Sequence, residues 1–183
     1  LYARRVRGEA VDEAEIEKAG RAALAGIVPQ QIACGLDIIN NGEQQRESFV
    51  LYLRHRLTGL GEESNRPTWK DLASYPDYQQ ALKEAAPVEA VTHTSHLPAA
   101  VGDIAYSNPG AVDTECEDFQ AALKGQEGRY AEAFLTAPSP GIIGSIVENR
   151  HYSTEDAYFS ALGRALAIEY RAIVNHGFLL QLD

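Results

Sequence analysis

Two carboxylates stand where an α/β chain presents chemistry. Glu43 closes the stretch "GLDIINNGEQQR", in which a short apolar run, Leu36 to Ile39, passes through Asn40, Asn41 and Gly42 to an acid at its tip. Asp183 closes "FLLQLD" in the same way. The segments "IACGLDIINNGE" and "IVNHGFLLQLD" are one unit written twice: helix, glycine, short apolar strand, polar tip. Ligands of α/β folds gather beyond the C-terminal ends of parallel strands. Glu43 and Asp183 are therefore the first candidates for a binding face. Asn41 and Gln181 lie beside them and are candidates to orient those groups; the plainer reading is a turn residue and a strand-end residue.

Other reactive side chains carry weaker signals. His93 and His96 in "HTSH" have a spacing that would suit a metal on a helix, but the segment reads as extended and no third ligand is near, so they read as solvated loop histidines. Ser139 in "APSPG" has no nucleophile elbow around it and no evident His and Asp partners, which argues against a hydrolase triad. That segment either shapes a substrate mouth or is a rigid turn. Cys34 and Cys116 are far apart and form no metal-type pair; both read as reduced thiols of a cytosolic protein. His176, before Gly177, belongs at a helix end, where it meets the helix dipole. Trp69, Tyr75 and Tyr78 either cover a pocket or, the preferred reading, pack an excursion onto the rest. No residue is assigned as catalytic and none as a metal ligand.

The elements that position these groups follow from periodicity and punctuation. Residues 12 to 34 read as a helix, with Asp12 as N-cap, Glu15 three residues on, and Ile16, Ala19, Ala23, Ile27 and Ile32 as its apolar stripe. Pro29 is expected to kink or interrupt it, and Gly35 to end it. A strand at 36–39 and a helix at 48–57 follow. Residues 60–128 read as a long irregular excursion, with short helices near 77–86 and 116–123 and an irregular hairpin around two prolines. Order returns with a strand from Tyr130. A helix capped by Ser153 then buries Tyr158, Leu162, Ala165, Leu166 and Ile173, stops at Gly177 and delivers a last buried strand. This β/α alternation implies a parallel sheet or barrel.

Bulk properties narrow the function classes. The chain has 183 residues, 45% hydrophobic and 23% charged, enough for one domain with a real core. A net charge of −10 with no basic stripe repels a phosphate backbone, so nucleic acid is not an expected partner. No apolar run is long enough to span a bilayer and no signal peptide is evident, so no membrane partner is expected. The sequence contains no methionine and starts at Leu1; the expectation is a fragment or one piece of a processed chain.

"GLDIINNGEQQRESFVLYLRHRLTGLG", "APSPGIIG" and "EYRAIVNHGFLLQLD" together resemble three blocks of the cobalamin-independent methionine synthase family, in the family's order, closest to its short single-barrel, methionine synthase-like members. The middle of the chain contributes little to the likeness, and Asn41 stands where the family more often has Asp before "GE". The resemblance implies an α/β fold, the N-terminal part of a TIM (β/α)8-type barrel with a long irregular insertion. It implies transfer of a methyl group from a folate to a zinc-bound thiol such as homocysteine, with Glu43 and Asp183 holding the substrate ammonium. The family's zinc ligands lie beyond "QLD", so zinc is expected of a parent enzyme, and this chain alone is expected to be inactive. Two alternatives stand beside this. One is a barrel enzyme transferring another electrophile, such as an epoxide, to a zinc-bound thiol. The other is a non-catalytic half-barrel that pairs with a second copy or with a missing half.

Overall fold

The computed structural model describes residues 1–2, 4, 9–64, 70–85 and 97–183. Helix α1, Glu13–Ala33, starts at Asp12, whose Oδ1 accepts from the Ala14 N–H at 3.0 Å. It runs on through Pro29, where an interruption was expected. Its buried line is Gly20, Leu24, Val28 and Ile32, a straight i, i+4 ridge. Of the expected stripe only Ile32 is buried, because the helix turns a neighbouring face to the core. The helix ends in a Schellman cap: the Gly35 N–H reaches the Ile32 carbonyl and the Leu36 N–H the Gln31 carbonyl, with Gly35 at φ +82°.

Strand β1 is Ile38–Asn40. The helix expected at 48–57 is instead a 3₁₀ helix, Leu51–His55. Three consecutive buried residues, Leu51, Tyr52 and Leu53, leave no polar stripe for a surface α-helix. Strand β2 (Leu60–Glu63), helices α2 (Lys70–Ala73) and α3 (Pro76–Ala85) and strand β3 (Pro98–Ala100) follow. Helix α4, Pro109–Leu123, is longer than the short helix expected near 116–123 and packs between α1 and the last helix. Then come β4 (Glu132–Ala137), α5 (Pro140–Ile146), β5 (Glu148–Asn149), α6 (Glu155–Asn175) and β6 (Leu179–Leu182). Helix α6 is capped by Thr154, not Ser153: the Thr154 side chain accepts from the Ala157 N–H.

Two three-stranded sheets form. One is parallel, in the order β1-β4-β6; the other is mixed, β2-β3-β5, with β2 antiparallel to β3. The antiparallel β2–β3 pair is joined through two helices and is not the irregular hairpin expected, part of which lies outside the described residues; neither sheet closes on itself among the described residues. Strands β1, β4 and β6 succeed one another along the chain with helices between them, so the fold is mixed α/β built on parallel crossovers. Alternation along the parallel sheet turns Ile39, Ala133, Leu135 and Ala137 to the helices, where all four are buried. Helix α6 adds Tyr158, Leu162, Ala165, Leu166 and Ile173 to that core, as expected, and Phe178 stacks on Phe119 with ring centroids 4.8 Å apart. Each fully buried Leu or Ile contributes about 1.5–3 kcal/mol.

Strand β6 differs from the buried strand expected. Leu179 and Leu182 are about half exposed, because among the described residues β6 pairs on one side only, with β4. Tyr75 and Tyr78 are also exposed, so the packing expected of them is not seen among the described residues. Trp69, His93 and His96 lie outside the described residues. Among the described residues no helix is long and apolar enough to cross a membrane.

Candidate functional site

The loop leaving β1 is built to hold one side chain. Gln31 of α1 grips Asn40 at both backbone groups, accepting from its N–H at 3.0 Å and donating to its carbonyl at 2.8 Å. Asn40 Oδ1 then accepts from the Gly42 N–H at 2.8 Å, and Asn41 Oδ1 from the Glu43 N–H at 3.0 Å. These successive Asx turns drive the backbone left-handed, with φ +62° at Gly42 and +53° at Glu43. For Glu43 that conformation costs about 1–2 kcal/mol. The loop lies close on α1 because Gly20 has no side chain: a Cβ there would sit 2.9 Å from Gln45 Cγ.

Four charges are buried beneath the loop. Glu115 on α4 takes Arg46 Nε on Oε1 at 2.8 Å and Arg56 Nη2 on Oε2 at 2.6 Å. Glu169 on α6 takes the hydroxyls of Tyr52 and Tyr106, each at 2.5 Å, and pairs with Arg56 Nη1 at 3.1 Å. Each guanidinium lies 4.6 Å from the centre of the Tyr52 ring. Two cations and two anions make the layer neutral, which is what permits its burial.

The protonation states follow from the same geometry. Burial disfavours the charged form of Glu115, but Arg46 and Arg56 outweigh it and pull the carboxyl down to about 2. Burial likewise works against Arg46 and Arg56, and the two carboxylates more than offset it, so both stay charged with raised pKa. Burial, reinforced by Glu169, raises the Tyr52 and Tyr106 hydroxyls, which donate as neutral phenols.

This layer ends at the sheet. Arg46 Nη1 donates to Thr136 Oγ1 at 3.1 Å, and Thr136 Oγ1 donates to Glu43 Oε1 at 2.8 Å. The expected site residues thus fall into two groups. Glu43 and Asn41 stand at the end of β1, tied to Thr136 on β4 and to buried Glu115, which accepts from Asn41 Nδ2 at 2.8 Å. Gln181 and Asp183 stand at the end of β6, where Gln181 Nε2 donates to Asp183 Oδ1 at 2.8 Å and both are exposed. Asp183 is held through its backbone, by the Ala137 carbonyl at 3.2 Å and the Ser139 N–H at 2.8 Å. Thr136 is the register partner of Gln181 and stands between the two groups.

The remaining candidates have structural roles. Ser139 caps α5, its Oγ accepting from the Ile142 N–H at 3.2 Å. His176 is the C-cap of α6 and its Nε2 lies 3.2 Å from Asp113 Oδ1. Cys34 is exposed and Cys116 buried, and neither is in a disulfide. Burial, with Glu115 and Asp113, pushes the Cys116 thiol up to about 12. A cleft of about 450 Å³ opens elsewhere, between the first turns of α1 and α4; Arg56 and Glu115 line it, whereas Glu43 and Asp183 do not. Among the described residues no three His, Cys, Asp or Glu side chains are grouped to hold a metal ion.

Sequence reading missed Arg46, Arg56, Glu115, Thr136 and Glu169. A signal existed for the two glutamates. Glu169 falls on the stripe of Leu162, Ala165, Leu166 and Ile173, and Glu115 on that of Val112, Cys116, Phe119 and Leu123. A charge on an apolar stripe requires a buried partner.

The class defined here is a mixed α/β protein whose parallel strands end in a carboxylate-bearing rim, set over a neutral layer of buried ion pairs. No family model matches the sequence, and no curated protein matches it. Among solved structures the chain is similar to a B12-independent methionine synthase from Shewanella sp. W3-18-1 in complex with selenomethionine, with a TM-score of 0.64 and 18% identity. The match covers 94% of this chain and 43% of that one. The fold is therefore methionine synthase-like.

Proposed function

We propose that this chain is part of a methionine synthase-like alkyltransferase, in which Glu43 and Asp183 hold the ammonium group of an amino-acid substrate while Asn41 and Gln181 orient them. The parallel sheet β1-β4-β6, with its helices on one face, is read as an arc of a (β/α)8-type barrel. The observation that carries the proposal is the placement of Glu43 and Asp183 at the C-terminal ends of β1 and β6, flanking β4. This occurs in a fold shared with a methionine synthase whose bound molecule, selenomethionine, carries an α-ammonium. Two carboxylates grip an ammonium through charge-assisted hydrogen bonds and repel an anionic group such as a sulfonate, which disfavours the alternative of an epoxide transferred to a zinc-bound thiol wherever that thiol carries a sulfonate.

The reaction proposed for the parent enzyme moves a methyl group from a folate to a thiol such as homocysteine. Zinc would supply thiol activation there, but the described residues offer no donor set that fits the ion, and no step is derived through it. The contribution proposed for this chain is binding and orientation of the amino-acid end.

A calorimetric titration with L-methionine and its desamino analogue tests this. The wild type is expected to prefer methionine, and Glu43→Gln to weaken methionine binding by about 10-fold or more while leaving the analogue unaffected. Equal affinity for both molecules in the wild type defeats the proposal.

A second, non-catalytic reading has its own observation. Ile38, Leu179 and Leu182 are about half exposed on strands that, among the described residues, pair on one side only. Such edges and apolar surface favour association with a second copy or with further barrel segments. Light scattering decides between a monomer and an assembly.

A further inference from the structure

Glu43 and four other residues close a ring, and each of its five links is a hydrogen bond. The Glu43 N–H donates to Asn41 Oδ1 at 3.0 Å, and Asn41 Nδ2 donates to Glu115 Oε1 at 2.8 Å. Arg46 Nε reaches the same Glu115 oxygen at 2.8 Å, while its Nη1 donates to Thr136 Oγ1 at 3.1 Å. Thr136 Oγ1 returns the ring to Glu43 Oε1 at 2.8 Å. The direction of the last link is forced. A guanidinium can only donate, so the Thr136 oxygen accepts from Arg46 and its single proton is left for the Glu43 carboxylate. The ring therefore holds Glu43 at both ends, backbone and carboxylate, in a left-handed conformation of φ +53° that the residue does not otherwise favour.

We infer that Thr136 and Glu115 are positioning residues for Glu43: Thr136 aims its carboxylate at the strand-end rim, and Glu115 anchors the ring in the core through Asn41 and Arg46. This rests on the reading of Glu43 as the ammonium ligand. Asn41, Arg46, Glu115 and Thr136 are all buried, so a substrate at the rim meets Glu43 and not the groups that hold it. Pre-aiming matters because an ionised carboxylate at a strand tip is otherwise free to rotate into water, and ordering it on binding weakens the complex.

The test uses Thr136→Val, which keeps the shape and removes the hydroxyl, and Thr136→Ser, which restores it. The first readout needs no ligand: the ¹³C carboxyl resonance of Glu43, assigned by its loss in Glu43→Gln. The second is calorimetric affinity for L-methionine and for its desamino analogue. The Val variant is expected to shift the Glu43 resonance and to weaken methionine binding by about 10-fold, leaving the analogue unchanged, and Ser to restore both. An unmoved resonance in the Val variant overturns the inference. So does an equal loss for methionine and the analogue, which marks a merely structural threonine. If the wild type binds no methionine, the ammonium reading falls, and the resonance alone decides whether Thr136 aims Glu43.

Discussion

The strand ends of β1 and β6 began as the same sentence in the sequence, and the fold gave them opposite treatment. Both strands follow a helix closed by a Schellman cap, on Gly35 at φ +82° and on Gly177 at φ +84°. Both end in a polar tip. At β1 the tip is clamped: Glu43 is bound through backbone and side chain to a buried ring. At β6 the tip is open: the Asp183 side chain accepts from Gln181 and is exposed, with no other side-chain partner among the described residues. A repeated local motif therefore places a carboxylate beyond the end of each strand but does not give the two the same anchoring. That anchoring comes from Glu115, 74 positions from Asn41, and Thr136, 93 positions from Glu43, packed under one tip and not the other.

The largest expected effect belongs to the layer beneath β1. Glu115→Ala strands Arg46 and Arg56 without their shared counter-ion, and a loss of about 3–5 kcal/mol is expected in urea denaturation. A loss below about 1 kcal/mol would mean that the layer is solvated in solution.

Acid gives the next effect. The Glu115 carboxyl is held down at about 2, against an ordinary value of 4.5, so its contribution is fully present above pH 4.5 and is lost as pH falls toward 2. The shift corresponds to roughly 3 kcal/mol. Stability measured by denaturant between pH 5 and pH 2 should fall steeply in the wild type, and Glu115→Gln should lack this part of the slope.

The helix stops are the part that the two units share. Gly35→Ala and Gly177→Ala each place a Cβ in the left-handed region and should cost about 1 kcal/mol apiece, equal within error, by thermal or chemical unfolding. Unequal costs would show that the two units differ before their tips.

The smallest effect is expected at Asp183→Asn, within about 0.5 kcal/mol of wild-type stability, because the side chain is exposed and its backbone bonds survive. If the ammonium reading holds, the same variant weakens methionine binding without moving the melting temperature.

The sequence by itself determined the local grammar of this protein. Asp12 and the glycines at 35 and 177 set the ends of the long helices; the apolar stripe of α6 could be read from periodicity, the strand expected from Tyr130 forms two residues later, at Glu132, and the recurrence of an acid at a strand end was legible. Those features depend on neighbours within a few residues, where propensity, capping and hydrophobic period act directly. Tertiary structure decided the rest. It turned α1 to the Gly20–Ile32 line, made a 3₁₀ turn of Leu51–His55, exposed β6, and joined Asn41, Arg46, Glu115 and Thr136 around Glu43. Those outcomes rest on pairings across tens of residues, and a buried charge reveals its need for a partner in sequence without revealing which partner meets it.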